Sequence, residues 1–570
     1  MLFPQLNIPR QSRLTVSRFL GWDRRERSET GSFARMENLC ADAYPALQTR
    51  PRRSLAARLE VPGGLTARDS LIWVDGHTLY VGGTAVGAVL SEGGKQLVSM
   101  GAYLLVFPDK VWVNTADLSQ FGSMENTAVS SGTVSLTLCR ADGSEYEGCL
   151  ASAGAPEEPE SGALWLDISG DEPVLRRYGE AGWTAVEEVC VAISARGIGI
   201  GFAAGDGVEL SGCQAENLNG SAVLELAEDD RVVIRGMIAG SATQEGAVTL
   251  RRTVPDMDFV VECGNRLWGC KYGVADGRAV NEIYASKLGD FCNWHCYAGL
   301  STDSYAAARG TDGPFTGAAA YLGSPLFFKE QCIERVYPSA AGAHQIVTLH
   351  CPGVKRGSHK SLAAVDGTLF YHGPGGVYAF DGSLPRLVSA PLDGLALENA
   401  VAGARQGQYW LAAQEGETRH LLVYDSRLGL WHRQDGLSVT DFALHGESLY
   451  ALDEAGGLWD LQGVKGEQEE DVAFGCQSGE LGLDSAHSKL LRRLTLQLQL
   501  ETGRQMRVSC SADGGKSWEK ELAVRGTGGL QRITLPLPAR RSAAWRLRLS
   551  GSGACTVYSV SAVYEKGSEW

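Results

Sequence analysis

A sequence unit of about forty residues recurs in the second half of the chain. Forty residues separate Gly367 from Gly407, and thirty-nine separate Gly407 from Gly446. Each glycine opens the same pattern of turn, aromatic and apolar strand, turn and second strand, in GTLFYHGPGGVYAFDG, GQYWLAAQEGETRHLLVYDSRLGLWH and GESLYALDEAGGLWDL. A period near forty with paired hairpins is typical of a β-propeller, whose blades are small sheets around a central axis. The repeat therefore predicts an all-β fold.

Four earlier segments carry weaker forms of the same hairpin pattern. They are LIWVDGHTLYVGG, QLVSMGAYLLVFPDKVWVNT, CGNRLWGCKYG with VNEIYASKL, and FTGAAAYLGSPLFFKEQCIERVYP. Asp75-Gly76 in the first is a strong hairpin-turn signal. Together with the three repeats they predict a roughly seven-bladed β-propeller formed by residues 56–129 and 256–465, with six or eight blades left open.

Two further regions differ from the repeat. Residues 130–255 lack its rhythm and contain a Pro/Glu run, APEEPE, that reads as a linker. We expect one or two small β modules there, inserted into a propeller loop, where insertions are tolerated. In residues 472–570, Leu494, Leu496, Leu498 and Leu500 alternate with polar residues, and a period of two indicates strands. This region predicts a C-terminal β-sandwich.

The charge of the chain is unevenly distributed. The net charge is −15, which argues against binding to nucleic acid or to an anionic membrane. Residues 1–60 nevertheless hold eleven arginines and only six acids. Residues 1–55 therefore read as an extended basic arm that straps onto a neighbouring acidic subunit, or alternatively as a partly ordered tail. The residues predicted to make inter-subunit contacts are Arg24, Arg25, Arg27, Arg50, Arg52 and Arg53.

No motif in the sequence predicts a cofactor or metal. GxSxG, HExxH and phosphate-loop patterns do not occur. The cluster Cys292-Asn-Trp-His295-Cys296 has no second ligand pair, so a zinc site is not expected. The N-terminus lacks the continuous apolar core of a signal peptide, and no apolar run reaches the length of a membrane span. Synthesis in a cytosol is the expectation, with the fourteen cysteines as free, buried thiols.

One short segment resembles the Asp-box of sialidases and other propeller glycosidases. It runs from Ser511 to Trp518 with the sequence SADGGKSW. The resemblance implies a structural turn, in which the Asp and Ser side chains bond backbone groups and the Trp packs beneath. We assign this role to Ser511, Asp513, Gly515 and Trp518, and infer no glycan cleavage from it.

Glycoside hydrolysis usually requires two carboxylates that flank one bond. The candidates Asp303, Asp312, Glu330 and Glu334 lie in or near polar segments, but their spacing does not show that they converge. Carboxylates are normally solvated surface groups, so no catalytic residue is assigned and the chain is not expected to be an enzyme. Aromatics of the segment 291–305, namely Trp294, Tyr297 and Tyr305, stack on sugars in one interpretation and form core in the other.

Several segments together resemble uncharacterised virion proteins of prophages in anaerobic Firmicutes. They are FARMENLCADAYPALQTRPRRS, GGKQLVSMGAYLLVFPDKVWVNTADLSQFGSM, NEIYASKLGDFCNW and the tail YEKGSEW. The unit LWLDIS with Trp183 is similar to modules of phage tail and fibre proteins. The arm-plus-propeller layout resembles the hub, or stabilisation, protein of short-tailed phages. The resemblance implies a virion part in the tail or at the head–tail neck, and it carries over no catalytic residues.

The sequence thus predicts a structural protein of a bacteriophage virion that holds other virion proteins, such as tail or portal and adaptor subunits, as a symmetric oligomer. The alternative is a receptor-recognition protein of the tail tip that binds or cleaves host-surface glycans. A third interpretation is a bacterial cytosolic propeller unrelated to virions. Propeller architecture alone does not decide among them, because one fold hosts many functions.

Overall fold

The structure is a computed structural model that describes residues 11–26, 28–275, 277–481, 488–519, 521–537 and 539–566. Within these ranges the regular structure is almost entirely β-strand, and helix is limited to three single turns at Glu216–Leu218, His359–Ser361 and Ala390–Leu392. The predicted all-β class is confirmed. None of the helices among the described residues is long and apolar enough to cross a membrane.

Seven small antiparallel sheets follow one another along the chain. Sheet one contains Pro62–Ala67, Leu71–Asp75, Thr78–Val81 and Thr84–Val89. Sheet two contains Gln96–Met100, Tyr103–Phe107, Val111–Asn114 and Phe121–Ser123. Sheet three contains Phe259–Glu262, Leu267–Ala275, Arg278–Ala285 and Tyr305–Ala308. Sheet four contains Gly317–Tyr321, Ser324–Phe328, Cys332–Tyr337 and Gln345–His350. Sheet five contains Ala363–Val365, Thr368–Gly373, Gly376–Phe380 and Arg386–Leu387.

Sheets six and seven complete the series. Sheet six contains Glu398–Arg405, Gln408–Glu415, Thr418–Asp425 and Leu430–Gln434. Sheet seven contains Val439–His445, Ser448–Asp453 and Gly457–Asp460, and its next strands are Ser54–Arg58 and Glu467–Gln468. The repeated glycines of the sequence lie in the hairpin turns, where Gly367 and Gly446 have φ of +79° and +62°. These values favour glycine because they are costly for residues with a Cβ.

Neighbouring sheets pack through apolar clusters, and sheet seven also contacts sheet one. Val74 of sheet one and Leu104 of sheet two share one cluster. Leu65 of sheet one also shares a cluster with Leu452 of sheet seven, and the first strands of these two sheets are in contact. The arrangement is therefore β-propeller-like.

The segment between sheets two and three forms its own β structure. Its larger sheet contains Asn126–Val129, Ser131–Cys139, Cys190–Arg196, Gly207–Ser211, Gly220–Glu228, Arg231–Arg235, Ala242–Gln244 and Thr249–Arg252. Its smaller sheet contains Leu150–Ser152, Leu164–Asp167, Val174–Gly179 and Gly182–Ala185. Leu166 and Leu175 of the smaller sheet are buried in the same apolar cluster as Val191 and Ile193 of the larger one. We call this segment the insert.

Two sheets at the C-terminal end include strands from the start of the chain. Terminal sheet A contains Gln11–Val16, Leu39–Cys40, Leu47–Thr49, Lys489–Leu500, Leu530–Leu535, Arg541–Ser542 and Cys555–Lys566. Terminal sheet B contains Phe33–Glu37, Ala473–Ser478, Gln505–Ser511, Leu522–Arg525 and Arg546–Ser552. The alternating leucines 494, 496, 498 and 500 are all fully buried in one cluster, together with Val508 and Leu549 of sheet B.

The N-terminal segment is not the extended arm that the sequence suggested. Residues 11–49 supply three strands of terminal sheet A and one strand of terminal sheet B, and residues 54–58 supply a strand of sheet seven. The segment satisfies its backbone donors and acceptors by pairing with distant parts of the chain, as buried backbone must. The described part of the segment is therefore bound to the same chain along its length.

Candidate functional site

A group of basic and aromatic side chains lines a cleft between sheet six and terminal sheet B. The cleft has a volume of about 800 Å³. Its lining comes from sheet six, from the turn 511–518 and from the strands Phe33–Glu37, Ala473–Ser478 and Arg546–Ser552. We call it the basic cleft. Its charged and aromatic lining comprises Trp22, Arg24, Arg35, Glu37, Glu415, His420, Arg433, Lys516, Trp518, Arg546 and Arg548.

Trp22 is flanked by two guanidinium groups. The ring is buried, and its Nε1 donates to the carbonyl oxygen of Ala34 at 3.2 Å. The guanidinium carbons of Arg24 and Arg433 lie 5.9 and 6.0 Å from the ring centroid. These distances are within the range of a cation–π attraction. Trp22 therefore helps to hold two like charges at one end of the basic cleft.

Trp518 stands on the Asp-box-like turn that lines the basic cleft. The backbone N–H of Gly515 donates to Ser511 Oγ at 2.8 Å, and that of Ser517 donates to Asp513 Oδ1 at 2.9 Å. The hydrogen bonds from Ser517 and Ser511 hold the pKa of the Asp513 carboxyl well below its usual range. Arg548 lies 4.4 Å above the half-buried ring of Trp518. The turn thus fixes the aromatic ring at the cleft surface.

Positive charge in the basic cleft is largely unpaired. Its lining has six cationic side chains but only two carboxylates, Glu37 and Glu415. Arg548 pairs with Glu521 at 3.0 Å, whereas the other five cations have no ion pair within the described part of the chain. Among the same residues, the buried nitrogens Arg433 Nε, Arg546 Nε and His420 Nδ1 have no hydrogen-bond partner. Buried donors normally have partners, so these nitrogens are unsatisfied polar atoms in the lining residues of the cleft.

The pKa of His420 is affected by the charged side chains of the basic cleft. Its Nε2 lies 3.2 Å from Glu415 Oε2, a contact that favours the charged imidazolium. Burial nevertheless lowers the pKa of His420, and the charges of Arg433 and Arg24 lower it further. The positive field of these arginines therefore extends across the cleft to the histidine.

The arginines that the sequence assigned to inter-subunit contacts have different positions. Arg50 and Arg53 have side chains only 2% exposed, and both pair with Asp435 of the same chain. Their predicted role is corrected, because buried and paired guanidinium groups are not available to a neighbouring subunit. Arg25 pairs with Asp23, and Arg52 lies 3.7 Å from Asp471. Arg24 lines the basic cleft, and Arg27 lies outside the described residues.

The four candidate carboxylates are not brought together at one bond. Glu334 is fully buried and accepts from Arg309 at 2.8 Å and from Thr311 Oγ1 at 2.8 Å. Asp303 accepts from the backbone of Gly299 and Leu300, which closes a loop. Asp312 is exposed in the connection between sheets three and four, and Glu330 is exposed in a hairpin turn of sheet four. Each of the two buried groups has a local structural partner.

The Cys292–Cys296 segment fastens the insert to sheet three. Asn293 Oδ1 accepts from the backbone N–H of Gly207 at 3.1 Å, and its Nδ2 donates to Gly205 O at 2.8 Å. A Cβ on Gly207 would lie 2.1 Å from the carbonyl carbon of His295. No group of three or more potential metal ligands occurs among the described residues. Trp294 is buried here, and Tyr297 is exposed.

The inner end of the sheet series is occupied by the turn His359–Ser361. Lys360 Nζ lies 2.6 Å from Asp441 Oδ1 on the first strand of sheet seven. His359 lies with its ring centroid 5.3 Å from that of Phe259, on the first strand of sheet three. Ser361 Oγ accepts from the N–H of His372. The turn thus contacts the first strands of sheets three and seven and the second strand of sheet five.

Sequence reasoning found the Asp-box-like turn but not the basic cleft. Trp22, Arg433 and Arg546 are far apart in the chain and carry no common motif. They meet only because residues 19–37 run between sheet six and terminal sheet B. The excess of arginine near the N-terminus was the one available signal, and it included Arg24.

Comparisons with known proteins give structural likeness at low identity. No family model matches the chain, and no curated protein matches it. Exo-β-1,3-galactanase of Phanerochaete chrysosporium, solved with galactose, is similar over 53% of this chain and 95% of its own, at 11% identity and a TM-score of 0.23. A family 43 arabinoxylan arabinofuranohydrolase of Bacillus subtilis is similar over 54% and 95%, at 10% identity and 0.17. The computationally designed Ika8 protein is similar over 71% and 98%, at 9% identity and 0.31.

Glycoside hydrolases are among these similar structures, and the sequence-based expectation that the chain is not an enzyme is therefore withdrawn. The predicted place in a virion tail or neck, with its partners, stays a prediction.

Proposed function

We propose that this protein recognises glycans and binds them in the basic cleft. The observation that carries the proposal is the cleft itself, in which Trp22 and Trp518 are held against arginines beside donors that have no internal partner. Sugar rings combine an apolar face, which packs on aromatic side chains, with hydroxyl groups that accept hydrogen bonds. A cleft of about 800 Å³ is large enough for a few sugar units.

We also propose that the sheets form a closed propeller joined to a sandwich. The seven sheets are the blades of one closed propeller, and strand Ser54–Arg58 completes the seventh blade from the other end of the chain. Contact between the first strands of sheets one and seven supports closure. Terminal sheets A and B form a two-sheet sandwich around the cluster of leucines 494–500. The basic cleft then lies where the sandwich meets the propeller rim.

The axis of the propeller is the less suitable place for a ligand. The turn His359–Ser361 spans it, with Lys360 reaching Thr440 O at 3.2 Å as well as Asp441. Burial raises the pKa of the Asp441 carboxyl, and pairing with Lys360 opposes that effect. A saccharide at this position would have to displace a buried ion pair, which is costly.

A place at a phage tail tip, where such a protein would contact host-surface glycans, is the biological setting that the sequence resemblance suggests. Sequencing the neighbouring genes tests it. Capsid and tail genes beside this one support the setting, and a metabolic gene cluster contradicts it.

A glycan array followed by titration calorimetry tests the recognition itself. We expect binding of a defined set of oligosaccharides by the full chain, and a loss of roughly tenfold or more in affinity for Trp518→Ala. Trp183→Ala is the matched control, because Trp183 is also half-buried but lies on the insert. Measuring reducing ends released from bound oligosaccharides shows whether binding leads to cleavage.

Two results contradict the proposal. One is the absence of saccharide binding across the array. The other is an equal loss of affinity in the two tryptophan variants, which places the site elsewhere. Trp518→Phe keeps an aromatic ring on the turn and is expected to retain most of the affinity, so a simple folding defect is distinguishable.

A further inference from the structure

We infer that the basic cleft selects anionic sugars, with the charged group of the sugar held by Arg433, Arg546 and Arg24. This inference rests on the proposed function and specifies its ligand class. The shared chemistry is an oxyanion on a sugar ring, whether a carboxylate, a sulfate or a phosphate. Arginine is suited to this task because its planar guanidinium group matches the geometry of such oxyanions.

The charge distribution is the first argument. The whole chain has a net charge of −15, yet the cleft brings together six cationic side chains and two carboxylates. Arg433, Arg546 and Arg548 are half-buried, whereas Arg24, Arg35 and Lys516 are exposed, and like charges gathered in this way repel each other. An anion in the cleft would relieve that repulsion. One of the two carboxylates, Glu415, is already engaged by His420 at 3.2 Å and by the N–H of Ala396 at 3.2 Å. Its charge is therefore directed to the wall of the cleft.

The state of the individual guanidinium groups is the second argument. Elsewhere in this protein, arginines with little exposure bind carboxylates; Arg50 contacts Asp435 and Glu469, and Arg309 contacts Glu334. A buried Nε without an acceptor is common to Arg309, Arg433 and Arg546. What sets the half-buried Arg433 and Arg546 apart is that neither has a carboxylate partner within the described residues. An oxyanion placed beside these two guanidinium groups would supply that partner.

The position of the aromatic rings is the third argument. Arg24 and Arg433 both lie within about 6 Å of the ring centroid of Trp22, and Arg548 lies over the ring of Trp518. The cations and the rings therefore occur together, as a charged sugar requires. An extended polyanion such as nucleic acid is a poor match, because the acidic remainder of the chain would repel the part outside the cleft.

A matched pair of ligands tests the inference directly. One is an oligosaccharide that contains uronic acid, and the other is its carboxyl-reduced form, which differs only in the charge. Sulfated and phosphorylated oligosaccharides of the same backbone and a short polyglutamate are the further arms. We expect the acidic forms to bind the full chain at least tenfold more tightly than the carboxyl-reduced form. We also expect this difference to shrink as the salt concentration rises.

The variant Arg546→Gln tests whether Arg546 binds the charged group of the sugar. We expect it to lower affinity for the acidic oligosaccharide at least tenfold and for the neutral form less than twofold. Arg433→Gln is the second variant, in case one of the two fails to fold. Arg176→Gln is the control, because Arg176 also lies over a tryptophan, Trp165 at 5.8 Å, but on the insert.

The outcomes separate this inference from the proposed function. Equal binding of the acidic and the carboxyl-reduced sugar overturns the inference and leaves glycan recognition standing. If polyglutamate binds as tightly as the acidic sugar, the cleft recognises anions in general. That result overturns both the proposed recognition of glycans and the inferred selectivity for anionic sugars. Loss of acidic-sugar binding in Arg176→Gln, with none in Arg546→Gln, places the charge-reading site on the insert and overturns the inference.

Discussion

Arg50 Nη2 lies 3.0 Å from Asp435 Oδ1 and joins the N-terminal segment to the end of sheet six. Its Nη1 lies 2.8 Å from Glu469 Oε2, just after sheet seven. Burial tends to raise the pKa of Asp435, but Arg53 and Arg50 outweigh this effect and hold it below the usual range. Burial and the neighbouring Arg50 in turn lower the pKa of Arg53 to about 10. The negative charges of Asp435 and Glu469 therefore offset the repulsion between the buried guanidinium groups of Arg50 and Arg53.

Replacing Arg50 by Met is therefore expected to destabilise the protein. The variant keeps most of the side-chain volume but loses charge-assisted hydrogen bonds, each worth about 1.5–3 kcal/mol. The midpoint of urea unfolding measures the loss. Arg507→Met is the control, because Arg507 is 71% exposed and its partner Glu521 is 40% exposed; an exposed pair contributes roughly 0–1 kcal/mol. Equal midpoints for the two variants would show that the buried network adds no stability.

A second prediction concerns the strand Ser54–Arg58, which lies between Gly457–Asp460 and Glu467–Gln468 in sheet seven. Ala57 pairs with Leu458. Proline at this position removes a backbone donor and is disfavoured inside a sheet. We expect Ala57→Pro to cost roughly 2–4 kcal/mol and to raise amide exchange throughout sheet seven. Ala57→Thr is the control, since threonine suits a strand. Normal exchange protection of sheet seven in Ala57→Pro would argue against closure by this strand.

A third prediction concerns the attachment of the insert. Gly207 lies so close to the backbone of His295 that a Cβ would be 2.1 Å from its carbonyl carbon. We expect Gly207→Ala to loosen the insert and to make its junctions near residues 125 and 254 sensitive to limited proteolysis. Gly154→Ala is the control within the same insert, because nothing lies within 4 Å of its Cβ position. A proteolysis pattern identical to that of the unchanged protein would mean that the contact adapts without cost.

Local sequence signals predicted some of these features and not others. The glycines at 367, 407 and 446 and the alternating leucines 494–500 act within one hairpin or one strand, so the sequence reveals them directly. The pairing of Ala57 with Leu458 joins residues about four hundred positions apart and has no local signal. For that reason residues 1–55 resembled a free arm, although their described part contributes strands to three sheets.

In the candidate site, too, features with a local sequence signal were predicted and features formed by distant residues were not. The turn of Ser511 and Asp513 is specified by contacts within a few residues, and its role was visible in the sequence. The basic cleft requires Trp22, Arg433 and Arg546 to meet from three distant segments. Only the tertiary structure distinguishes these arginines from Arg50, which is equally basic in the sequence but is neutralised by Asp435 and Glu469.

The last prediction is a loss of stability in mild acid. Burial lowers the pKa of His372 to about 4, with Lys355 adding to the effect, and burial also lowers the pKa of His432 to about 4. An unfolded histidine titrates near 6.5, so between pH 6.5 and pH 4 the unfolded state binds more protons than the folded state. Stability is thus fully present above pH 6.5 and falls through this window, by up to about 1.4 kcal/mol per pH unit for each such histidine.

His372→Asn tests this origin of the acid sensitivity. His372 Nδ1 lies 3.0 Å from Ser358 Oγ, and an asparagine side chain can occupy the same position without titrating in this range. We expect the variant to be less stable than the unchanged protein at pH 7.5 but to lose less stability between pH 7 and pH 4.5, as measured by urea unfolding. An unchanged pH slope in the variant would assign the acid sensitivity to other groups, His432 first, because its buried imidazole has the same direction of shift.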